Sequence, residues 1–265
     1  MVHLSHSQPY KKLRKIGFRF KLAVLGNLRV ASNLRSFRKQ SLTSVHATEF
    51  EYGKKVKVLD DFYDQAGVAS GHYFHQDLYV ARAIEKANPA EHYDIGSRVD
   101  GFIAHLAVFR DVNVFDIREL ESKDPRIEFR VLDIMNLESV QRIEKISSLS
   151  CLHTAEHFGL GRYGDPVNFD GWKIGLQNMT EMLKKGGIFY FSTPISNRQR
   201  IVFNAHRIFN PKFLTDFFLV DFEVLKTAAI RDSGDLDLKA DFLSEEFLSG
   251  FRDEYACGIW ILQKK

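Results

Sequence analysis

The chain has 265 residues, of which 45% are hydrophobic and 27% charged, with a formal net charge of +3. A chain of this length and apolar content buries one substantial core, which excludes disorder throughout and favours one domain with an extension over two equal domains. Its longest apolar runs, such as Phe217 to Val220, fall far short of the ~20 residues that span a bilayer, so no transmembrane helix is expected.

The charge is unevenly spread. No acid occurs before Glu49, whereas ten Lys and Arg residues lie from Lys11 to Lys39. Removing those ten from the 37 basic residues leaves 27 against 34 acids, a net of −7, so the remainder of the chain is mildly acidic. Leu13, Ile16, Phe18, Phe20, Leu22, Leu25, Leu28, Leu34 and Phe37 interleave with these cations at a spacing that predicts one or two basic amphipathic helices. Such an arm, residues 1–50, suits peripheral contact with an anionic membrane through residues 11–39, or packing on its own domain or on a second copy. Leu13 to Val30 is broken by Lys15, Arg19, Lys21 and Arg29, which excludes a secretory signal; the expected location is the cytoplasm, with membrane contact only at its surface. An acid-free start bearing Arg and Ser also resembles an organelle transit peptide. Cys151 and Cys257 sit in apolar strand-like runs and read as small core residues with neither a redox nor a metal role.

Residues 51–265 read as the domain proper. Gln76 to Ala87 predicts a helix closed by Asn88-Pro89. From Tyr93 onward strand-like and helix-like stretches alternate, the pattern of an α/β fold with a mostly parallel sheet covered by helices on both faces. His92 to Ile95 is the first strand and Gly101 to Phe109 the first helix. Val112 to Asp116, Ile127 to Asp133, Ser148 to His153 and Ile188 to Thr193 follow as strands, each an apolar run of buried-strand length. Gly171 to Lys184 predicts a helix with Trp172, Leu176, Met179 and Leu183 on one face and Asp170 as N-cap. Its stop is read from Leu183-Lys184-Lys185-Gly186-Gly187, with cations at the negative helix end and glycine beyond. Asn210-Pro211 opens another helix through Phe218, and Phe222 to Ile230 and Cys257 to Gln263 complete about seven strands.

Open parallel sheets bind ligands above the carboxyl ends of their strands. After the first strand comes Asp94-Ile95-Gly96-Ser97-Arg98-Val99-Asp100-Gly101, a turn into a helix where the missing side chain at Gly96 lets a cofactor approach the backbone. Asp116, 22 residues after Asp94, stands where an acid accepts ribose hydroxyls, and Asp133 ends the third strand as an adenine neighbour. Each feature alone is weak, since strand-end acids often only cap loops; their order is what carries the reading.

With these residues in place, the sequence resembles the class I methyltransferases, Rossmann-like enzymes whose first motif joins an acid to spaced glycines. The Leu183 to Gly187 run resembles the Leu-Lys-Pro-Gly-Gly that leads into their fifth strand, and Leu152-His153-Thr154-Ala155-Glu156-His157 their Leu-Glu-His segment. A closer resemblance, over about residues 60–211, is to a methyltransferase-like family of unassigned function associated with bacterial surface-polysaccharide gene clusters. It is carried by Gly71 to Asp77, Asp94 to Gly101, Glu156 to Pro166 and Phe203 to Arg207. The resemblance implies S-adenosyl-L-methionine as cofactor, held by Asp94, Gly96, Ser97, Arg98, Asp116 and Asp133. Arg98 and Asp100 depart from the family's glycines: either Arg98 pairs with the cofactor carboxylate, which is the expectation, or it fills the pocket.

Methyl transfer needs in-line placement and a proton acceptor. His157 is the candidate base, with Glu156 to orient it or to receive charge itself; the structural alternative is that His157 anchors the loop. The glycine-rich run Gly159 to Pro166 predicts a loop over the site, where Arg162, Tyr163 and Asp165 would hold a polar acceptor such as a sugar, unless Arg162 and Asp165 only clamp the loop. His206 and Arg207 add a second polar wall, and His72 and His75 a lid, with Asp77 equally readable as an ordinary cap. Histidine spacing supports no metal. The expected function is O-methylation of a hydroxyl-rich small molecule or glycan. Its rivals are a noncatalytic binding protein docking through the basic arm, a nucleic-acid methyltransferase, disfavoured by the acidic domain, and a nicotinamide dehydrogenase, disfavoured by the incomplete Gly-x-Gly-x-x-Gly turn.

Overall fold

The computed structural model describes residues 8–265 apart from Asp60 and Asp64, with side chains from Ala23 onward except at 60, 63 and 64. The arm's side chains from Lys11 to Leu22 therefore lie outside the described residues. Two compact units divide between Val68 and Ala69. In the first, the expected helix is a single one, α1, Gln8–Ser41, with Arg38 and Lys39 in its last turn, where cations complement the helix dipole. Gly26 lets residue 59 pass close by: a Cβ there would lie 3.1 Å from the Leu59 Cβ. Arg29 Nη2 donates to the Leu59 carbonyl at 2.9 Å, and Lys57 Nζ to Asn27 Oδ1 at 2.9 Å. Leu28 and Phe37 are exposed on this helix. Among the described residues, no helix is long and apolar enough to cross a membrane.

The second unit opens with α2, His72–Ala87, which ends at Asn88 in the left-handed conformation. It continues through β1, Tyr93–Ile95, a π-helical turn at Val99–Ile103, α3, Ala104–Ala107, β2, Val112–Asp116, β3, Ile127–Val131, α4, Leu137–Gln141, and β4, Ile146–Leu152. Then come α5, Gly171–Met182, β5, Leu183–Ile195, a β6/β7 hairpin at Arg200–Val202 and His206–Ile208, and α6, Pro211–Phe218. The last elements are β8, Phe222–Ile230, β9, Leu236–Asp237, α7, Glu245–Gly250, and β10, Ala256–Lys264.

Eight strands form one sheet in the order β3-β2-β1-β4-β5-β10-β8-β9. β1 to β5 run parallel, whereas β10 is antiparallel to both of its neighbours. Beyond the expected strands the sheet gains only the two-residue edge β9. Two-residue periodicity along the strands feeds two cores. Phe189, Phe191, Trp260 and Leu262 face one side with Leu176 and Met179 of α5 and Phe218 of α6. Tyr190, Ile259 and Ile261 face the other with Val80 and Ile84 of α2 and Phe102 of the π turn. Fully burying each such large apolar side chain is worth ~1.5–3 kcal/mol.

Three local expectations fail. The helix from Gly171 stops at Met182, because Leu183 is already extended and pairs with Ile146 at the foot of β4, so the Lys-Lys-Gly-Gly run belongs to the strand entry. Asp170 precedes that helix but its side chain makes no cap; its carbonyl accepts from Lys173 and Ile174 N–H instead. The expected helix Gly101 to Phe109 is a π turn followed by a four-residue α-helix. By contrast, Asn210 caps α6 as read, its Oδ1 accepting from Phe213 N–H with Pro211 in the first turn.

Candidate active site

The sheet order reverses between β1 and β4, and a cavity of about 750 Å3 opens there over the strand ends. Its first wall is the turn after β1. Gly96 has φ +67°, a conformation side chains rarely adopt, and a Cβ there would lie 2.4 Å from the Thr154 methyl. Asp94 itself does not line the space. It lies beneath, fully buried, its Oδ1 accepting from Ser97 N–H at 2.9 Å and its Oδ2 from Ser97 Oγ at 2.6 Å and from Ser150 Oγ. Ser97 Oγ in turn accepts from Leu152 N–H at 3.1 Å, tying the turn to β4. The acid is thus a brace for the turn, read from sequence as a direct contact. Burial pushes its pKa up to about 6 against the serine hydrogen bonds that pull it down. Behind it, His92 bonds Ser148 Oγ and Ser150 Oγ at 2.8 and 3.0 Å, and burial drops its pKa to about 3, so it is neutral.

Arg98 leaves the cavity open. Its guanidinium turns to the rim, forks onto Asp100 at 3.0 and 2.7 Å and lies 5.0 Å from the Tyr73 ring centre. Asp116 and Asp133 both line the cavity. Asp133 Oδ1 accepts from Met135 N–H at 2.9 Å. Asp116 carries a partner that sequence reading missed: Arg118 forks onto both its oxygens at 2.9 and 2.7 Å and stacks 4.3 Å over Tyr163 of the glycine-rich loop.

Across the cavity, His157 is mostly buried and its Nδ1 donates to the Ala205 carbonyl at 2.7 Å. That bond fixes the tautomer and leaves Nε2 free to accept a proton. Burial lowers the His157 pKa, the Glu156 charge opposing it. Glu156 does not orient His157 as expected; 3.9 Å separates it from His157 Nε2, while it accepts from His153 Nδ1 at 2.8 Å and from Thr193 Oγ1 at 3.3 Å. Burial would raise the Glu156 pKa, but His153 and His157 outweigh it and the carboxyl is held low. His153 responds in the opposite sense: burial disfavours its charge, yet Cys257 and Glu156 together hold its pKa well above the usual value. His153 has φ +52°, an uncommon conformation for a residue with a side chain, at the point where β4 ends.

The loop from Gly159 closes on Asp165, whose Oδ2 accepts from Gly159 and Gly161 N–H at 2.8 and 3.2 Å and Oδ1 from Tyr163 N–H at 3.1 Å. Arg162 donates to the Ala205 carbonyl at 2.9 Å, so Asp165 clamps the loop through backbone and not through Arg162. Arg162, Tyr163, Asp165 and His206 all line the cavity. Arg207 does not. It is buried and donates to the carbonyls of Phe158 and Phe169 at 2.6 and 3.0 Å, bracing the loop from behind. His75 also stays away from the cavity, whereas His72 packs under its edge, stacked 5.1 Å from His153 and bonded to the Tyr255 carbonyl at 3.0 Å. Burial and the neighbouring His153 lower the His72 pKa to about 4. Asp77 lies inside α2 and caps nothing; buried, it accepts from Gln76 at 3.0 Å. His153 and Arg118 were legible only as an i−3 neighbour of Glu156 and an i+2 neighbour of Asp116.

A family model described as a Caenorhabditis protein of unknown function, DUF268, matches residues 114–254, more than half of the chain. The chain belongs to the DUF268 family. No curated protein matches it. Among solved structures, the DUF268 chain is similar to the [4+2]-cyclase SpnF at TM-score 0.50 and 11% identity, over 75% of this chain and 88% of that one. It is also similar to the N-methyltransferase NodS of Bradyrhizobium japonicum WM9, crystallised with S-adenosyl-L-homocysteine, at TM-score 0.47 and 11% identity, over 73% and 88%. A third similarity is to an S-adenosylmethionine-dependent methyltransferase of Clostridium acetobutylicum ATCC 824, at TM-score 0.46 and 10% identity, over 72% and 92%. At these identities the shared property is the fold, Rossmann-like and of the methyltransferase type, and a fold named for one reaction also carries a protein named a cyclase.

Proposed function

We propose that the DUF268 chain transfers a methyl group from S-adenosyl-L-methionine to a hydroxyl of a small molecule or glycan. The observation that carries this reading is the cavity of about 750 Å3 at the β1/β4 reversal, with Asp116 and Asp133 on one side and His157 on the other. Its volume lies within the ~300–1,000 Å3 of small-molecule sites. The lining suits a nucleoside: Gly96 leaves backbone open, Ser97 turns its hydroxyl away onto Asp94, Asp116 would accept ribose hydroxyls beside Arg118, and Asp133 would neighbour adenine. Arg98, at the rim, would take the amino-acid carboxylate. When bound, the cofactor supplies an electrophilic methyl whose C–S bond breaks as the O–C bond forms. His157 Nε2 receives the acceptor proton; its Nδ1 bond to the Ala205 carbonyl and its lowered pKa keep that nitrogen unprotonated near neutral pH. Arg162, Tyr163 and His206 hold the acceptor hydroxyls. The choice of oxygen and of a glycan rests on the polar wall and on the sequence resemblance.

Titration calorimetry tests this: saturable binding of S-adenosyl-L-methionine is expected, with His157→Gln keeping that affinity while losing ~100-fold or more in turnover. No saturable heat at ~1 mM ligand, a binding energy weaker than about −4 kcal/mol, refutes it. The Arg118 fork across both Asp116 oxygens favours a second reading, a noncatalytic shell that docks through residues 11–39. In that case Arg118→Ala gains no cofactor binding, and removing the arm abolishes localisation.

A further inference from the structure

We propose that His72, His153 and Cys257 form a site for one zinc-class divalent ion at the base of the cavity wall, with two imidazoles and a thiolate as ligands. Each side chain offers one ligand atom, and the three atoms lie within 4.8 Å of one another. The residues come from the start of α2, the end of β4 and the strand β10, 81 and 104 positions apart, so no spacing motif announces them.

The second observation is an orphan. His153 Nδ1 is committed to Glu156 Oε1 at 2.8 Å, and its Nε2, wholly buried, has no hydrogen-bond partner. An unsatisfied buried nitrogen costs ~1–3 kcal/mol and calls for a ligand. Cys257 lies beside it, close enough to raise the His153 pKa, and its thiol has two weak sulfur hydrogen bonds of 3.7 Å each, to Gln76 Oε1 and the Gly258 carbonyl. His72 uses one ring nitrogen on the Tyr255 carbonyl and has the other to give. An ion at this point satisfies all three.

The donor set selects the metal. Thiolate and imidazole suit zinc and its neighbours, whereas magnesium and calcium demand oxygen ligands. Glu156 behind His153 is the carboxylate–histidine pairing that orients metal-bound imidazoles, and Thr193 Oγ1 fixes Glu156 in turn. Three protein ligands are the complement of a zinc ion that keeps one position for water or a substrate oxygen. A nucleophilic role for Cys257, with His153 as base, fits less well: the sulfur is fully buried and does not line the cavity, so no substrate reaches it.

The test uses the full chain purified without a histidine tag, stripped by chelator and titrated with Co2+. A thiolate-to-cobalt charge-transfer band saturating at one equivalent per chain, and displaced by Zn2+, is expected. Cys257→Ser removes that band and Cys151→Ser keeps it. Glu156→Gln retains the band with ~10–100-fold weaker affinity. Should Cys257→Ser fail to fold, His72→Gln, at a partly exposed position, carries the test through a ~10-fold or greater loss of Co2+ affinity. Absence of the band in the wild-type chain, its persistence in Cys257→Ser, or unchanged affinity in His72→Gln overturns the proposal. None of these readouts involves methyl transfer, so the metal site and the cofactor reading stand or fall separately.

Discussion

Replacing Gly96 by Ala tests whether the turn after β1 is held to its shape by β4. Two costs add. An alanine at φ +67° pays ~1–2 kcal/mol for the left-handed backbone. Its Cβ would also stand 2.4 Å from Thr154 Cγ2, so the threonine must move, and such overpacking costs ~1–3 kcal/mol. The expected loss is therefore about 2–5 kcal/mol, read as a lower urea midpoint at unchanged m-value. Thr154→Ser separates the two parts. It deletes the offending methyl but keeps the hydroxyl that donates to the Leu152 carbonyl at 3.1 Å. The Gly96→Ala/Thr154→Ser double variant should recover the steric part and retain the backbone part, giving a coupling of ~1 kcal/mol or more. A Gly96→Ala loss below ~0.5 kcal/mol, or no recovery in the double variant, refutes this account of the turn.

Asp94 makes stability depend on pH with a definite sign. Its folded pKa of about 6 exceeds the ordinary 3.8, so the stabilisation from its proton is complete below pH 3.8 and lost as pH rises through about 6. Relative to Asp94→Asn, the wild type should lose about 2 kcal/mol between pH 4 and pH 8 in denaturant titrations, and a pH-independent difference sinks the assignment. Asp165→Ala removes the acceptor of three loop amides, so hydrogen exchange at Gly159, Gly161 and Tyr163 should quicken at least ~10-fold, about 1.4 kcal/mol, while amides of β4 and β5 hold their rates. Equal acceleration in the loop and the strands would show that Asp165 supports the whole unit instead.

What the sequence discloses here is mostly what neighbours in the chain decide. Asn210-Pro211 announces α6 because cap and first turn are local, and the observed bonds are those the dipeptide implies. The expected end of α5 at Lys184 falls two residues late because a distant partner wins: Leu183 has good helix propensity but is drawn into pairing with Ile146. The same division runs through the site. Gly96, Asp116 and His157 follow strand ends and could be named from position alone. Arg207, next to a cavity residue in sequence, turns to buried carbonyls near residues 158 and 169 that only the folded loop supplies. His153 gained its meaning from Cys257, 104 positions away.

The antiparallel strand β10 has an implication for how the unit assembles. It lies between β5 and β8, so β5 has only β4 beside it and β8 is cut off from the rest of the sheet until Ala256–Lys264 has been synthesised. Between the synthesis of β5 and β8 and that of β10, two strand edges therefore stay open, a window in which edge pairing with other chains competes. Long-range pairing of this kind is slow, and a nascent chain stalled before Ala256 should draw chaperones where one stalled well beyond Lys264 does not.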